Sequence, residues 1–303
     1  MRVLHLTFSG LLAALALSPA PQDTTIRTDV NLVQLPVTVT DTAGHTVSGL
    51  TKDAFRVFVD NQAQEITVFQ GEDAPVTAGI VIDNSSSMRP KVKEVIAAGL
   101  AFARASNPKD QMFVVHFTDH PRFGLPEGTR FTGDVSKLEK AVEAFDLGGT
   151  TAFYDALLAA QSQLRWAAYS RKVLLTITDG GDNSSHASVM DVLSDAQKAG
   201  IVIYSIGIFD ENNRDQNPQA LSKIAGQTGG QAYFSGQVTD VTQICVNIAR
   251  QIRSQYTLGF PGAEDGQFHH IRVTATDARY GPLEVHARSG YFAIKPSNAN
   301  HQK

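Results

Sequence analysis

Cysteine is nearly absent from this 303-residue chain. Cys245 stands alone, so no internal disulfide can form, and stability must come from a packed core or a bound ligand. Basic runs are absent too. A net charge of −4 and a pI near 6.1 argue against a broad nucleic-acid surface, which needs clustered Lys and Arg. No G-x-S-x-G elbow, H-E-x-x-H helix, Cys/His zinc spacing or G-x-x-x-x-G-K-[ST] loop occurs, which removes the commonest hydrolase, metalloprotease and nucleotide-binding signatures. A long apolar run occurs only at the N-terminus, from Leu4 to Leu17. It falls short of the roughly 20 residues of a spanning helix. With Arg2 ahead of it and Ala14-Leu15-Ala16 at its end, it reads as a signal peptide over residues 1–22. The mature chain is therefore expected to be soluble, without a membrane span, and secreted or periplasmic.

What remains has three textures. Residues 23–72 alternate apolar and polar, as in VNLVQLPVTVTD and AFRVFVDN, the pattern of half-buried antiparallel strands. Residues 73–254 carry short, wholly apolar runs (AGIVID, MFVVHFT, KVLLTITD, GIVIYSIGI and the weaker QAYFS). Segments of helical period lie between most of them, among them Met88, Val92, Val95, Ile96 and Leu100, with Pro90 in the first turn. Apolar strands alternating with amphipathic helices predict an α/β domain, doubly wound around a mostly parallel sheet and covered on both faces. Strand texture returns over 255–295, and 296–303 is a polar tail expected to be disordered. Neither flanking block holds enough strands for a core of its own. The two are expected to pack into one β-sandwich from which the α/β domain emerges as an insertion.

Ligands of open parallel sheets bind beyond the carboxyl ends of the strands. Three such ends stand out here. DNSSS places Asp83, Ser85 and Ser87 directly after AGIVI; GGTT presents Thr150 and Thr151 after a glycine pair; TDGGDN sets Asp179 at the end of KVLLTIT. Carboxylates and hydroxyls are hard oxygen donors, suited to Mg²⁺, Mn²⁺ or Ca²⁺ rather than zinc or copper. Two carboxylates and three neutral hydroxyls leave a divalent ion little over-neutralised, so the set retains affinity for one more anionic oxygen from outside.

In these three elements, over residues 75–253, the sequence resembles the von Willebrand factor type A domain, whose metal-ion-dependent adhesion site uses D-x-S-x-S, a Thr and an Asp in this order. The resemblance puts Asp83, Ser85, Ser87 and Asp179 on metal-site positions. For the threonine, counting back from Asp155-Ala156-Leu157 selects Thr151, whereas counting forward from Gly148-Gly149 selects Thr150; Thr151 is the choice taken. Ser86 stands where such loops more usually carry glycine. The flanks LPVTVTDTAGHTVSGLTKDAF, RSQYTLGF and VHARSGYF look like a group of secreted bacterial proteins termed VWFA-related, named for acidobacterial genomes. The resemblance implies a non-enzymatic module in which Mg²⁺, or Mn²⁺ or Ca²⁺ in its place, receives an acidic side chain of a protein partner.

Two other readings stand beside it. A metal-assisted hydrolase would need a base for Ser85 or Ser87, and the nearest histidine in the reading, His116, has only Asp119 close by in sequence. A structural or assembly protein would use the metal only to stiffen the loop. Taken alone, Asp83 is as readily a helix cap, and Asp182 with Asn183 either lines the site or turns the loop, the turn being favoured. His269 and His270 are adjacent in a strand and point to opposite faces. Cys245 and Trp166 read as packing residues on helical apolar faces, and IFDENNRDQNP as a solvated loop near the metal crevice. Neither the oligomeric state nor the partner follows from these residues.

Overall fold

The computed structural model describes residues 31–71, 73–209, 216–235 and 239–295. The expected signal peptide, the tail 296–303 and residues 210–215 of the acidic loop lie outside them. From Asn31 onward the elements belong to one compact unit. In chain order they are β1 (Leu32–Asp41), β2 (Phe55–Val59), β3 (Gln62–Gln64), β4 (Val68–Gln70) and β5 (Thr77–Asp83), then α1 (Val92–Ala105), β6 (Gln111–Phe117) and β7 (Pro121–Phe123). They continue with α2 (Val135–Glu143), α3 (Phe153–Leu164), β8 (Lys172–Thr178), α4 (Val189–Ala199), β9 (Ile201–Ile208), α5 (Pro218–Thr228), β10 (Ala232–Ser235) and α6 (Thr239–Arg253). The last four are β11 (Tyr256–Pro261), β12 (Phe268–Ala275), β13 (Leu283–His286) and β14 (Gly290–Phe292).

The apolar runs form the central sheet, in the order β10-β9-β8-β5-β6-β7. Every residue of β5 and β9 is buried, as a strand covered on both faces requires. All pairings are parallel except β6 with the short edge strand β7. That edge strand and helix α2 went unnoticed in the sequence, although Asp134 caps α2 through Ser136 N–H and Leu138, Ala141 and Val142 lie on its buried stripe. One group of helices packs α1 against α2 and α6, and another packs α4 against α3 and α5. The chain leaves β5 for β6 on one side and later returns to β8 on the other, so the order reverses at β5. A crevice opens at such a reversal, beyond the carboxyl end of the strand.

Pro90 falls in a 3₁₀ turn, Ser86–Lys91, that precedes α1, rather than in the α-helix itself. Cys245 is fully buried, and burial pushes its thiol pKa up. Trp166 departs from the expectation: it is 65% exposed, and Arg130 lies over its ring at 4.0 Å. The helix α3 ends at Leu164, so Trp166 lies beyond the last turn that faces the sheet.

The flanking strands form two antiparallel sheets, β13-β1-β11-β4 and β14-β12-β2-β3. Each mixes N-terminal with C-terminal strands. Leu35, Val37 and Val39 of β1, Phe55 and Val57 of β2, Leu258 and Phe260 of β11 and Ile271 of β12 belong to one buried cluster between them. Pro36 is tolerated in the ten-residue β1 because there only β11 pairs with it; β13 pairs with Thr38–Asp41.

Candidate metal centre

Asp83 ends β5, and its register beside β8 sets what surrounds it. Ile82 pairs with Ile177, so Asp83 comes level with Thr178, the last residue of the neighbouring strand. Thr178 donates its hydroxyl to Asp83 Oδ2 at 2.6 Å, and Ser85 N–H donates to Asp83 Oδ1 at 2.8 Å. The carboxyl is entirely buried. Burial, and then the negative charge of nearby Asp179, push its pKa up to about 6.

Above it the chain turns through the serines. Ser85 Oγ and Ser87 Oγ stand 3.1 Å apart, and Ser86 donates its hydroxyl to the Gly149 carbonyl at 3.2 Å. That bond uses a side chain where glycine was thought more usual and ties the first loop to the second. In the second loop Gly148 and Gly149 both hold positive φ, 153° and 70°, which lets the chain turn sharply ahead of Thr150 and Thr151. Thr151 is buried while Thr150 is exposed. Thr151 N–H donates to Asn183 Oδ1 at 2.8 Å, and its carbonyl accepts from the N–H groups of Asn183 and Ser184. The second loop is thereby fastened to the third.

In the third loop Asp179 is 1% exposed, and its Oδ1 accepts from Gly181 N–H at 3.2 Å. Gly180 has φ +79°, and a Cβ there would lie 2.9 Å from the Asn217 carbonyl oxygen, so only glycine leaves the strand at this angle. Asp182 serves the turn: its Oδ2 accepts from Tyr154 N–H and from Ser185 Oγ, holding the start of α3. Asn183 does more than turn the chain, since it both braces Thr151 and lines the cavity.

Ser85, Ser87, Thr151 and Asp179 thus meet in one cavity of about 170 Å³, together with Ser86, Gly149, Thr150, Gly181 and Asn183, and Asp83 lies buried beneath it. Among the described residues no basic side chain lines that cavity. The negative charge of Asp179 raises the proton affinity of Asp83, so two buried carboxylates stand close together under neutral hydroxyls. Neighbouring oxygens of an octahedral shell at 2.0–2.1 Å lie about 3 Å apart, which the Ser85 and Ser87 hydroxyls match. Among the described residues no group of three or more His, Cys, Asp or Glu is arranged to hold a metal. Three hydroxyls, of Ser85, Ser87 and Thr151, and two carboxylates, of Asp83 and Asp179, are the oxygen donors gathered here, a set that fits a hard cation.

His116 does not serve these serines. It is buried, with Nδ1 3.2 Å from Asn84 Oδ1 and Nε2 2.7 Å from the Ala141 carbonyl, and burial lowers its pKa. Asp119 accepts from Thr118 and pairs with His120 instead. His269 and His270 lie far along the chain in β12, where His269 sits between Asp60 at 2.7 Å and Asp265 at 3.0 Å. Thr178 went unnoticed in the sequence, although the strand-final T-D pair carried the signal: the residue before a strand-end ligand lies in register with the adjacent strand end.

Comparison with known proteins gives a consistent fold. The profile of the von Willebrand factor type A domain family matches residues 79–248, more than half of the chain. A structure described as von Willebrand factor type A from Catenulispora acidiphila superposes with TM-score 0.55 at 16% identity, covering 82% of this chain and 76% of its own. The von Willebrand factor domain of the type V pili tip protein Mfa5 from Porphyromonas gingivalis gives 0.51 at 14% identity, covering 59% and 95%. Proximal thread matrix protein 1 from the mussel byssus gives 0.50 at 18% identity, covering 69% of this chain and 51% of its own. At such identities the likeness concerns the fold. Among curated proteins, none matches.

Proposed function

This chain belongs to the von Willebrand factor type A domain family, and from that premise we propose that it is an exported, non-enzymatic recognition module that binds a protein partner through a divalent cation, Mg²⁺ in the first instance. The observation that carries the reading is the pair of hydroxyls 3.1 Å apart over a buried carboxylate whose pKa is raised to about 6. Ser85, Ser87 and Thr151 would hold the ion by their hydroxyls, and Asp83 and Asp179 would hold it directly or through water. When bound, a divalent ion supplies an open position for a carboxylate from outside. Asp83 fixes the Ser85 backbone, Thr178 fixes Asp83, and Asn183 fixes Thr151, so the donors are oriented before any ion arrives. The exposed Thr150 and Ser86 form the rim that a partner would touch.

Residues 73–254 are taken as the recognition domain, carried by a sandwich of 23–72 with 255–295. Export rests on the apolar N-terminal segment alone; among the described residues no helix is long and apolar enough to cross a membrane. A hydrolase reading gains nothing from the geometry, because both nitrogens of His116 are engaged away from the serines.

The test is calorimetric titration of the full chain with magnesium, followed by capture from the envelope fraction with and without chelator. Saturable magnesium binding that disappears in Ser87→Ala and Thr151→Ala, with capture lost on chelation, is the expected result. Binding of magnesium unchanged in both variants would sink the proposal.

A further inference from the structure

At the other end of the central sheet, where β8 and β9 begin, a cavity of about 290 Å³ opens against the antiparallel sheets. Its walls come from β1, β11 and β14 on one side and from the start of β8 and the end of α4 on the other. Among the described residues the charged lining is basic: Arg171, Lys172, Lys198 and Arg288, with no Asp or Glu. Both arginines are buried, at 3% and 8% exposure.

Their hydrogen bonds go only to neutral acceptors. Arg171 donates from Nε to Thr257 Oγ1 at 2.9 Å and from Nη2 to the Gly71 carbonyl at 3.1 Å. Arg288 donates from Nη1 to the Gln197 carbonyl at 2.9 Å and from Nη2 to the Gln34 carbonyl at 3.1 Å. Arg171 Nη1 and Arg288 Nε are buried with no acceptor. Among the described residues no carboxylate forms an ion pair with either guanidinium. Gln197 lies in the last turn of α4, whose dipole offsets part of the charge at Arg288. A buried cation without a counter-charge among the described residues is costly, and here two of them line one cavity. The guanidinium fork matches the paired oxygens of a carboxylate or phosphate group.

We propose that this seam is a binding site for a small oxyanion, a phosphate or carboxylate group of a free small molecule, held by Arg171 and Arg288 with Lys172 and Lys198 at the mouth. The bound anion clamps the antiparallel sheets to the α/β body, since Arg171 already reaches Thr257 and Arg288 already reaches both Gln34 and Gln197. Tyr291, Phe292 and Ile294 close the apolar side, with Lys198 Nζ 5.1 Å from the Phe292 ring centre.

The experiment is thermal unfolding of the full chain in chelator at constant ionic strength, with inorganic phosphate or succinate replacing chloride. Either anion is expected to raise the midpoint by several degrees in a saturable way; a response to phosphate alone assigns a phosphoryl ligand, and a response to succinate alone a carboxylate. Arg171→Met is expected to abolish the response, and Lys172→Met, at a half-buried position, to weaken the apparent affinity at least threefold. Should Arg171→Met fail to fold, Lys172→Met decides. Equal midpoints in chloride, phosphate and succinate, or an unchanged affinity in Lys172→Met, would overturn the site.

Discussion

The two ends of strand β8 carry opposite chemistry. Arg171 precedes it and Asp179 follows it, and seven strand residues separate them by roughly 25 Å. Among the described residues, buried carboxylates and hydroxyls gather at the carboxyl end with no basic side chain lining the cavity, and buried guanidiniums gather at the amino end with no acidic one. The difference follows from strand polarity: parallel strands direct all their helix-bound loops to one end, which is free to shape a crevice, while the other end is where the antiparallel sheets join. One end is thus suited to a cation and the other to an anion, and a single parallel sheet keeps them too far apart to neutralise each other.

The largest expected effect tests the negative end. The folded chain holds the Asp83 proton more tightly than the unfolded chain, whose carboxyl titrates near 3.8. In chelator, stability relative to Asp83→Asn should therefore fall by on the order of 3 kcal/mol as pH rises from about 4 to about 7. Urea unfolding across that range measures it, and a flat difference would mean that Asp83 holds its proton no more tightly in the folded chain than in the unfolded one. Next comes the cation itself. At a hundredfold excess over its dissociation constant, magnesium should add about 2.7 kcal/mol to the stability of the chain at pH 7.5, and nothing to Asp83→Ala. A smaller loss, about 1 kcal/mol, is expected for Ser86→Gly, which removes the hydroxyl bond to Gly149 without touching a proposed ligand. Magnesium binding should survive that change.

The smallest effect sharpens the comparison most. If the two ends are independent, Arg171→Met should alter the magnesium response by less than about 0.5 kcal/mol, and Asp83→Asn should leave the phosphate response equally unchanged. A larger cross-effect would show that the strand couples its ends.

Much of the carboxyl end was legible because its signals are local. D-x-S-x-S spans five residues, T-D-G follows an apolar run, and the period of the flanking helices announces where the strands must stop. The helix α2 was legible, with Leu138, Ala141 and Val142 at helical spacing behind the Asp134 cap, whereas the three-residue β7 is too short to raise a periodic signal. Trp166 was misjudged because helical period was extended past Leu164, beyond the last turn of α3. The role of Asn183 was underweighted because a turn-forming Asn looks the same in sequence whether or not it braces a threonine 32 residues away.

The amino end was not legible at all. Nothing local distinguishes Arg171 in SRKVLL or Arg288 in VHARSG from solvated arginines. Only the pairing of β1 with β11 and β13, and the packing of both sheets against the start of β8, buries the two guanidiniums at one cavity.

The chain's own order of residues therefore determined the alternation of apolar strands with helices, the family, and the hard-oxygen character of the three loops, since these depend on neighbours within a few positions. Tertiary structure alone decided that Thr178 seats Asp83, that Asn183 seats Thr151, and that two arginines share a seam, because burial and register are set by segments 32 or more residues apart and have no local code.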